Sequence, residues 1–279
     1  MDQAQNLRKI AWGVKRRSTY ISISSGKGGV GKTNFAVNIS HTLARMGKKV
    51  LLFDADLGLA NVDILLNLNV KTNIKDFLEG NISSDNLVVD SGYGFDVVPA
   101  SSGFVNLTKL DEGQYDKLMD LFVKFDSKYD YIIFDTGAGI GENVIKFSSV
   151  SDMLVVITQP EPTAVTDAYA FIKVVNKEFN ITRPYLVVNK SKTKEDGINI
   201  YENLKNVLKR FLDIDLELLG VIRDCKEVAL SVREQKPIAE TNPTSIYMRD
   251  LILVGKKIVN MNIEKNYNNE LSSVFRRSL

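Results

Sequence analysis

A glycine-rich loop between an apolar run and an amphipathic segment constrains this chain more than any other feature. Residues 26–33 read Gly-Lys-Gly-Gly-Val-Gly-Lys-Thr, which is the spacing of a phosphate-binding loop, or P-loop. Residues 20–24 are apolar and β-branched, which predicts a buried strand, and apolar residues recur at helical spacing over 34–46. Such a loop points backbone N–H groups and the positive end of a helix into one concavity. The sequence therefore predicts a polyphosphate site.

Two side chains at the end of this loop have predicted roles in binding. Lys32 should neutralise the β- and γ-phosphate oxygens, and the Thr33 hydroxyl should complete the coordination of Mg²⁺. The loop backbone should supply further phosphate contacts. The predicted nucleotide-binding residues of this segment are Gly28, Gly29, Val30, Gly31, Lys32, Thr33 and Asn34.

Composition narrows the class of protein. The chain has 279 residues, 44% hydrophobic and 25% charged, as expected for one large globular α/β domain with short tails. Its formal charge of +2 is too small to indicate nucleic-acid binding by itself. Cys225 is the only cysteine, which excludes an internal disulfide and a metal centre built on cysteines alone. With no long apolar run and no signal-peptide pattern at the start, we expect a cytoplasmic, soluble protein.

Acidic residues follow two further apolar runs. Residues 50–54 and 131–135 are predicted strands that each end in an aspartate, Asp54 and Asp135. Carboxylates at the carboxyl ends of parallel strands face the ligand crevice. We therefore expect Asp54 and Asp135 near the metal, with Asp135 in the Walker B position, and Asp56 near the γ-phosphate, where it positions water or a Mg²⁺-bound water.

The order of the predicted elements indicates the fold. Strands are predicted at 95–99, 153–158, 185–190 and 218–222, and helices at 111–125 and 245–261. This alternation predicts a doubly wound, mostly parallel sheet with helices on both faces. The predicted organisation is an arm over residues 1–17, a P-loop nucleotide-binding domain over 18–261 and a tail over 262–279. Residues 136–141, which are rich in glycine, are predicted to form a mobile switch after the Walker B strand.

Residues 27–33 resemble the deviant Walker A loop of the MinD/ParA ATPases, because Lys27 adds a second lysine after the first glycine. The run that contains Asp56 also resembles the catalytic switch of that family. The resemblance implies a MinD-like fold, slow ATP hydrolysis with Mg²⁺, and a homodimer in which Lys27 contacts the partner's phosphates. It also implies that Asn189 contacts adenine, which favours ATP over GTP. Arg223 departs from the family's usual proline, and we expect it to line the nucleotide site.

The first residues resemble a motif of one branch of that family. Asp-Gln-Ala, two free positions and Leu-Arg is the activator motif of the flagellar FlhG (FleN/YlxH) ATPases. The resemblance implies regulation of flagellar number or placement, stimulation of the GTPase FlhF, and contact with the C-ring of the flagellar basal body. The predicted partner-binding residues are Asp2, Gln3, Ala4, Leu7 and Arg8.

The tail has one apolar helical face beside two arginines, typical of a segment that binds an anionic membrane surface reversibly. We expect it to place the ATP-bound protein on the inner face of the cell membrane. A terminal helix packed on its own core, or a segment without fixed structure, is the alternative. The predicted membrane residues are Leu271, Val274 and Phe275.

Other functions remain open from the sequence alone. A MinD-type septum-placement ATPase would lack the N-terminal motif. A ParA-type DNA-segregation ATPase would need a concentrated basic face, which the small net charge does not favour. A metabolic ATP-dependent ligase or a reductase is an alternative of another class. The single cysteine argues against an iron–sulfur reductase.

Overall fold

Strands and helices alternate along the chain and build one eight-stranded sheet with helices on both faces. The computed structural model describes residues 18–56, 61–100 and 110–264. The strands are β1 (Thr19–Ser25), β2 (Val50–Ala55), β3 (Val89–Asp90), β4 (Asp96–Val98), β5 (Tyr131–Ala138), β6 (Met153–Thr158), β7 (Tyr185–Ser191) and β8 (Glu217–Arg223). The helices are α1 (Lys32–Arg45), α2 (Val62–Leu65), α3 (Ile74–Glu79), α4 (Ser84–Leu87), α5 (Glu112–Lys128), α6 (Glu142–Val150), α7 (Pro162–Phe179), α8 (Lys194–Leu212), α9 (Lys226–Arg233), α10 (Ile238–Thr241) and α11 (Ile246–Asn260).

The doubly wound, mostly parallel sheet predicted from the sequence is confirmed. The strand order is β3-β4-β2-β5-β1-β6-β7-β8, and only the pair β3–β4 is antiparallel. The first strand therefore lies inside the sheet between β5 and β6, and the chain winds outward from it in both directions. In such sheets the ligand crevice lies at the carboxyl ends of the strands, where the winding direction changes. The loops after β1, β2, β5, β6, β7 and β8 all meet at that edge.

Continuous apolar runs form the central strands because both of their faces are buried. Alternate residues of β1, such as Ile21 and Ile23, pack in a core with α1 and α11. Phe35, in α1 just after the phosphate loop, belongs to the same core cluster as Ile21 and Ile23. On the other face, Tyr20 packs with Phe122 of α5 and with Phe134 of β5. The two packed layers hold the strand ends, and hence their loops, in fixed relative positions.

Several short elements were not predicted. Strand β3 and helices α2, α3 and α4, all between β2 and α5, are among them, whereas β4 falls within the strand predicted at 95–99. One local signal was available for α3: the Asn73 side chain caps the first turn while the Asp76 side chain accepts a bond from the Asn73 backbone. The β3–β4 hairpin extends one edge of the sheet and does not reach the phosphate loop.

Across residues 18–56, 61–100 and 110–264, each helix is too short or too polar to cross a lipid bilayer. The predicted arm at residues 1–17 and most of the predicted tail, from residue 265 onward, lie outside the described residues.

Candidate nucleotide-binding site

The phosphate loop joins β1 directly to α1, as the spacing of residues 26–33 predicts. Two of its glycines are required by the backbone. A Cβ at Gly26 would lie 2.0 Å from the carbonyl oxygen of Asp167 in α7. Gly31 has a φ of 92°, and a Cβ there would lie 2.6 Å from Nδ2 of Asn189. A side chain at either position would push the loop away from the elements that hold it.

Strand β7 supports the loop from one side. The Asn189 side-chain amide donates a 2.9 Å hydrogen bond to the carbonyl of Val30, and the Lys190 ammonium donates a 2.8 Å bond to the carbonyl of Gly29. Turning these carbonyls toward β7 keeps them away from the phosphate concavity, which is left to N–H groups. Asn189 was predicted from the sequence as a base contact; its bond to the loop, and the whole contribution of Lys190, were not foreseen.

Lys32 begins α1 and is 9% exposed. Burial lowers the pKa of its ammonium, and the negative charges of Asp135 and Asp56 oppose that effect. An anionic phosphate beside Lys32 would favour the charged form further. The buried position thus suits the predicted role, since charge interactions gain strength where water is excluded.

The two strand-end aspartates lie side by side because β2 and β5 are adjacent, with Asp54 in register with Asp135. Both are 1% exposed. Burial raises the pKa of Asp54 well above its ordinary value, and the neighbouring charge of Asp135 adds to this. Burial also raises the pKa of Asp135, to about 7, although Thr33 and Lys32 lower it. Such a pair is stable in its charged form only beside a compensating cation.

The surroundings of these two carboxylates differ. Asp54 accepts hydrogen bonds from the backbone N–H groups of Asp56, Asn61 and Val62, at 3.1 to 3.3 Å, and thereby anchors the loop after β2. Neither carboxylate oxygen of Asp135 has a hydrogen-bond partner of good geometry among the described residues. Asp135 and the nearby Thr33 hydroxyl therefore fit Mg²⁺, which would supply the missing charge and hold the phosphates. Asp54 fits the outer shell, because its oxygens are engaged by the loop.

Asp56 faces the carboxyl end of β5. A Cβ at Gly137 would lie 3.4 Å from the Asp56 carboxylate, so the two predicted switch segments touch. The Thr136 hydroxyl, at the start of the predicted switch over residues 136–141, is bonded to β1. It donates to the Ser24 hydroxyl at 3.0 Å and to the Ile23 carbonyl at 3.1 Å. The predicted catalytic acid therefore lies beside the end of β5. Residues 136–138 of the predicted mobile switch belong to that strand, and the backbone N–H of Gly139 donates a 2.9 Å bond to the carbonyl of Ser25.

Lys27 lies at the exposed rim of the site, with its side chain 35% exposed. Its ammonium is 3.1 Å from a carboxylate oxygen of Glu161 and 2.7 Å from the Thr163 hydroxyl, both at the start of α7. Neither partner was predicted from the sequence. In the single chain, the second lysine of the loop is therefore held by its own molecule.

A cavity of about 360 Å³ opens beside the loop, between β7, β8 and α9. Its floor is apolar, with Cys225, Val228 and Ala229 among its lining residues, and Asn189 and Arg223 also line it. A slot of this size, with apolar surface and polar side chains such as Asn189 and Arg223 in its lining, suits a planar heteroaromatic base. Further lining residues are Gly31, Asn34, Lys190, Asp224, Lys226, Val232 and Tyr247.

Asp250 of α11, which sequence reasoning missed, holds Arg223 by two side-chain bonds of 2.7 and 2.8 Å. Burial disfavours the charged form of Asp250, but the bonds from Arg223 and the charges of Arg223 and Lys194 leave its pKa below the ordinary value. No pattern near residue 250 indicates this contact. The predicted partner-binding residues Asp2, Gln3, Ala4, Leu7 and Arg8 and membrane residues Leu271, Val274 and Phe275 lie outside the described residues.

Comparisons with known proteins agree with this geometry. A family model described as "AAA domain" matches residues 18–187. The antiactivator FleN of Pseudomonas aeruginosa is 38% identical over 225 residues, which cover 81% of this chain and 80% of that protein. The flagellum site-determining protein YlxH of Helicobacter pylori is 33% identical over 265 residues, 93% and 88% of the two chains. The septum site-determining protein MinD of Pyrococcus horikoshii, solved with Mg-ADP, gives a TM-score of 0.72 at 26% identity, over 87% and 96% of the chains.

The central position of β1, the phosphate loop that follows it and the acids at the ends of β2 and β5 define a P-loop nucleotide hydrolase. Similarity to FleN and YlxH over most of the chain identifies the family within this class. The chain belongs to the MinD/ParA family of P-loop ATPases and, like the members of that family, is an ATPase.

Proposed function

We propose that this protein is an ATP-dependent dimerising switch that regulates the number or placement of flagella. The observation that carries this proposal is its similarity to FleN and YlxH, over 81% and 93% of the chain. YlxH is named as a determinant of flagellar site, and FleN as an antiactivator. In the native host, deletion of the gene should change the number or position of flagella counted by electron microscopy. Cells with unchanged flagella and misplaced division septa would instead favour a MinD-type role.

The switch is proposed to depend on the two loops that meet at Asp56 and Gly137. Bound ATP would place its γ-phosphate beside both loops, and Mg²⁺ held by Thr33 and Asp135 would neutralise the developing charge. Hydrolysis would remove the group that orders the loops. The affinity for a second subunit would then fall, because a ligand shifts an equilibrium only through differential contacts with the two states.

Lys27 is the residue proposed to join the two subunits. Its bonds to Glu161 and Thr163 lie at the exposed rim, where an ion pair stabilises a protein by about 1 kcal/mol or less. A partner's phosphates could therefore replace them at low cost. We expect Lys27→Ala to bind ATP with affinity close to that of the wild type but to remain a monomer with ATP and Mg²⁺, as measured by multi-angle light scattering.

Lys192→Ala is the matched control for this variant, because Lys192 is an exposed lysine after β7 with no role proposed here. It should dimerise as the wild type does. If Lys27→Ala forms a normal ATP-dependent dimer, the proposal that Lys27 contacts the phosphates of the partner subunit is wrong.

The first residues are proposed to act on the flagellar GTPase FlhF. Gln3 could orient a water or a phosphate in that partner's site, as an amide does in other GTPases. Leu7 lies four residues from Gln3, so one helical turn would place an apolar anchor beside the amide. We expect a peptide of residues 1–20 to raise GTP hydrolysis by the nucleotide-loaded FlhF dimer, and the Gln3→Ala peptide to lose most of this effect.

Full-length Gln3→Ala should keep its own ATPase rate, since the P-loop begins more than twenty residues later. A Gln5→Ala peptide is the matched control, because Gln5 occupies a free position of the motif. If the wild-type peptide leaves FlhF unchanged, a septum-placement or DNA-segregation ATPase becomes the better proposal. Components of the basal-body C-ring are further proposed partners.

The tail is proposed to bind anionic membrane in the ATP-bound dimer. One short apolar face with two arginines gives weak anchoring, and two tails in a dimer would bind more strongly than one. Removal of residues 264–279 should lower co-sedimentation with anionic lipid vesicles without changing ATP affinity. Equal co-sedimentation of the truncated and full-length proteins would contradict this.

A further inference from the structure

We propose that Asp250 is a positioning residue for base recognition, because it fixes the guanidinium of Arg223, which lines the cavity between β7, β8 and α9. The inference rests on the proposed use of a nucleotide by this site. It adds a residue from α11, distant in sequence from the phosphate loop, to the groups that determine how the base is held.

The contact between the two side chains is specific in geometry. Arg223 donates from Nε to one Asp250 oxygen at 2.8 Å and from Nη2 to the other at 2.7 Å. The backbone N–H of Arg223 donates to the same carboxylate at 3.1 Å. Asp250 is 2% exposed, and Lys194 approaches it at 3.4 Å. Three bonds from one residue to one buried carboxylate fix both the end of β8 and the plane of the guanidinium.

The fixed guanidinium lies where a base would bind. Arg223 lines the cavity whose floor includes Cys225, Val228 and Ala229. Its Nε and Nη2 edge is engaged by Asp250, whereas its flat face and Nη1 are not part of that ion pair. A guanidinium stacks on aromatic rings through its face, and a pre-oriented one loses less entropy when it does so. The arrangement therefore fits a planar base stacked against Arg223.

The packing of α11 on β8 does not depend on this ion pair. Val254 of α11 already packs on β8, since a Cβ at Gly220 would lie 2.5 Å from its side chain. Buried ion pairs add little net stability compared with apolar contacts of the same volume. The position of Arg223 in the lining of the cavity is what distinguishes it from a packing residue.

Binding of Mg-ADP and of Mg-pyrophosphate to the full-length protein, measured by calorimetry, tests the inference. The two ligands share their phosphates, but only ADP has a base. We expect Asp250→Asn and Arg223→Lys each to weaken ADP binding about tenfold, with pyrophosphate binding within about twofold of the wild type. The double variant should lose no more than either single variant, because both act through one contact.

Lys194→Gln is the matched control. It removes a cation near Asp250 but leaves the bonds to Arg223, so it should bind ADP as the wild type does. Thermal unfolding checks that each variant is folded. If Asp250→Asn does not fold, Arg223→Lys still tests the inference, because it keeps a positive charge beside Asp250. ADP affinity unchanged in Arg223→Lys, or an equal loss of pyrophosphate affinity in the folded variants, would overturn the inference. Failure of the wild type to bind either ligand would overturn the proposed function as well.

Discussion

Replacement of Lys32 by alanine should abolish high-affinity nucleotide binding, with a loss of about thirtyfold or more in affinity for ATP. Lys32 is 9% exposed and lies between the loop backbone and the aspartates at the ends of β2 and β5. The Lys32 ammonium and a bound phosphate would form a buried charge pair. Removal of one member of such a pair costs about 2–5 kcal/mol of binding free energy. Without the ammonium, the phosphates would also lie near Asp135 and Asp56 without the positive charge of Lys32 to offset the repulsion. Calorimetry with ATP and Mg²⁺ measures the loss.

Lys49→Ala is the control for Lys32→Ala, because Lys49 is an exposed lysine just before β2, at the opposite edge of the sheet. It should bind ATP as the wild type does. Thermal unfolding should show that Lys32→Ala remains folded. Unchanged ATP affinity in folded Lys32→Ala would contradict the assignment of the phosphate site.

Replacement of Asp56 by alanine should leave ATP binding nearly intact and reduce turnover at least about a hundredfold. A group that positions or deprotonates water acts mainly in the transition state, and such groups contribute about 10²–10⁴ in rate. Asp56 lies at the contact between the two switch segments, beside Gly137, and not within the phosphate loop. The variant should therefore accumulate in its ATP-bound form. Phosphate release under saturating ATP measures the rate.

Two comparisons make the Asp56 result specific. Asp56→Asn keeps the shape of the side chain and should be as slow as Asp56→Ala if the negative charge is what matters. Asp63→Ala removes the next acid along the chain and should keep the wild-type rate. If Asp56→Ala hydrolyses ATP at the wild-type rate, Asp56 is not catalytic.

The fold class and the central strands were predictable because they follow from local patterns, whereas the strand order was not predicted. Apolar runs predicted the central strands, and the glycine loop together with the acids after β2 and β5 predicted which edge carries the site. The register of Asp54 with Asp135 then follows from two adjacent parallel strands. The P-loop residues could be assigned since their spacing alone defines their geometry.

The contacts that hold the site in place could not be predicted. Lys190 binds the loop carbonyl of Gly29 from a distance of 161 residues along the chain, and Arg223 meets Asp250 only because α11 packs on β8. Such pairs depend on how separate elements pack, which no local pattern encodes. The same is true of Lys27, whose contacts with Glu161 and Thr163 depend on the position of α7 beside the loop.

The mass of the protein in solution with different nucleotides tests the central claim most directly. Multi-angle light scattering of the full-length chain with Mg²⁺ and the non-hydrolysable analogue AMPPNP should give the mass of two chains. The same sample with Mg-ADP should give the mass of one chain, and Lys27→Ala should give one chain with either nucleotide. Identical masses of the wild type with AMPPNP and with ADP would contradict an ATP-dependent dimerising switch.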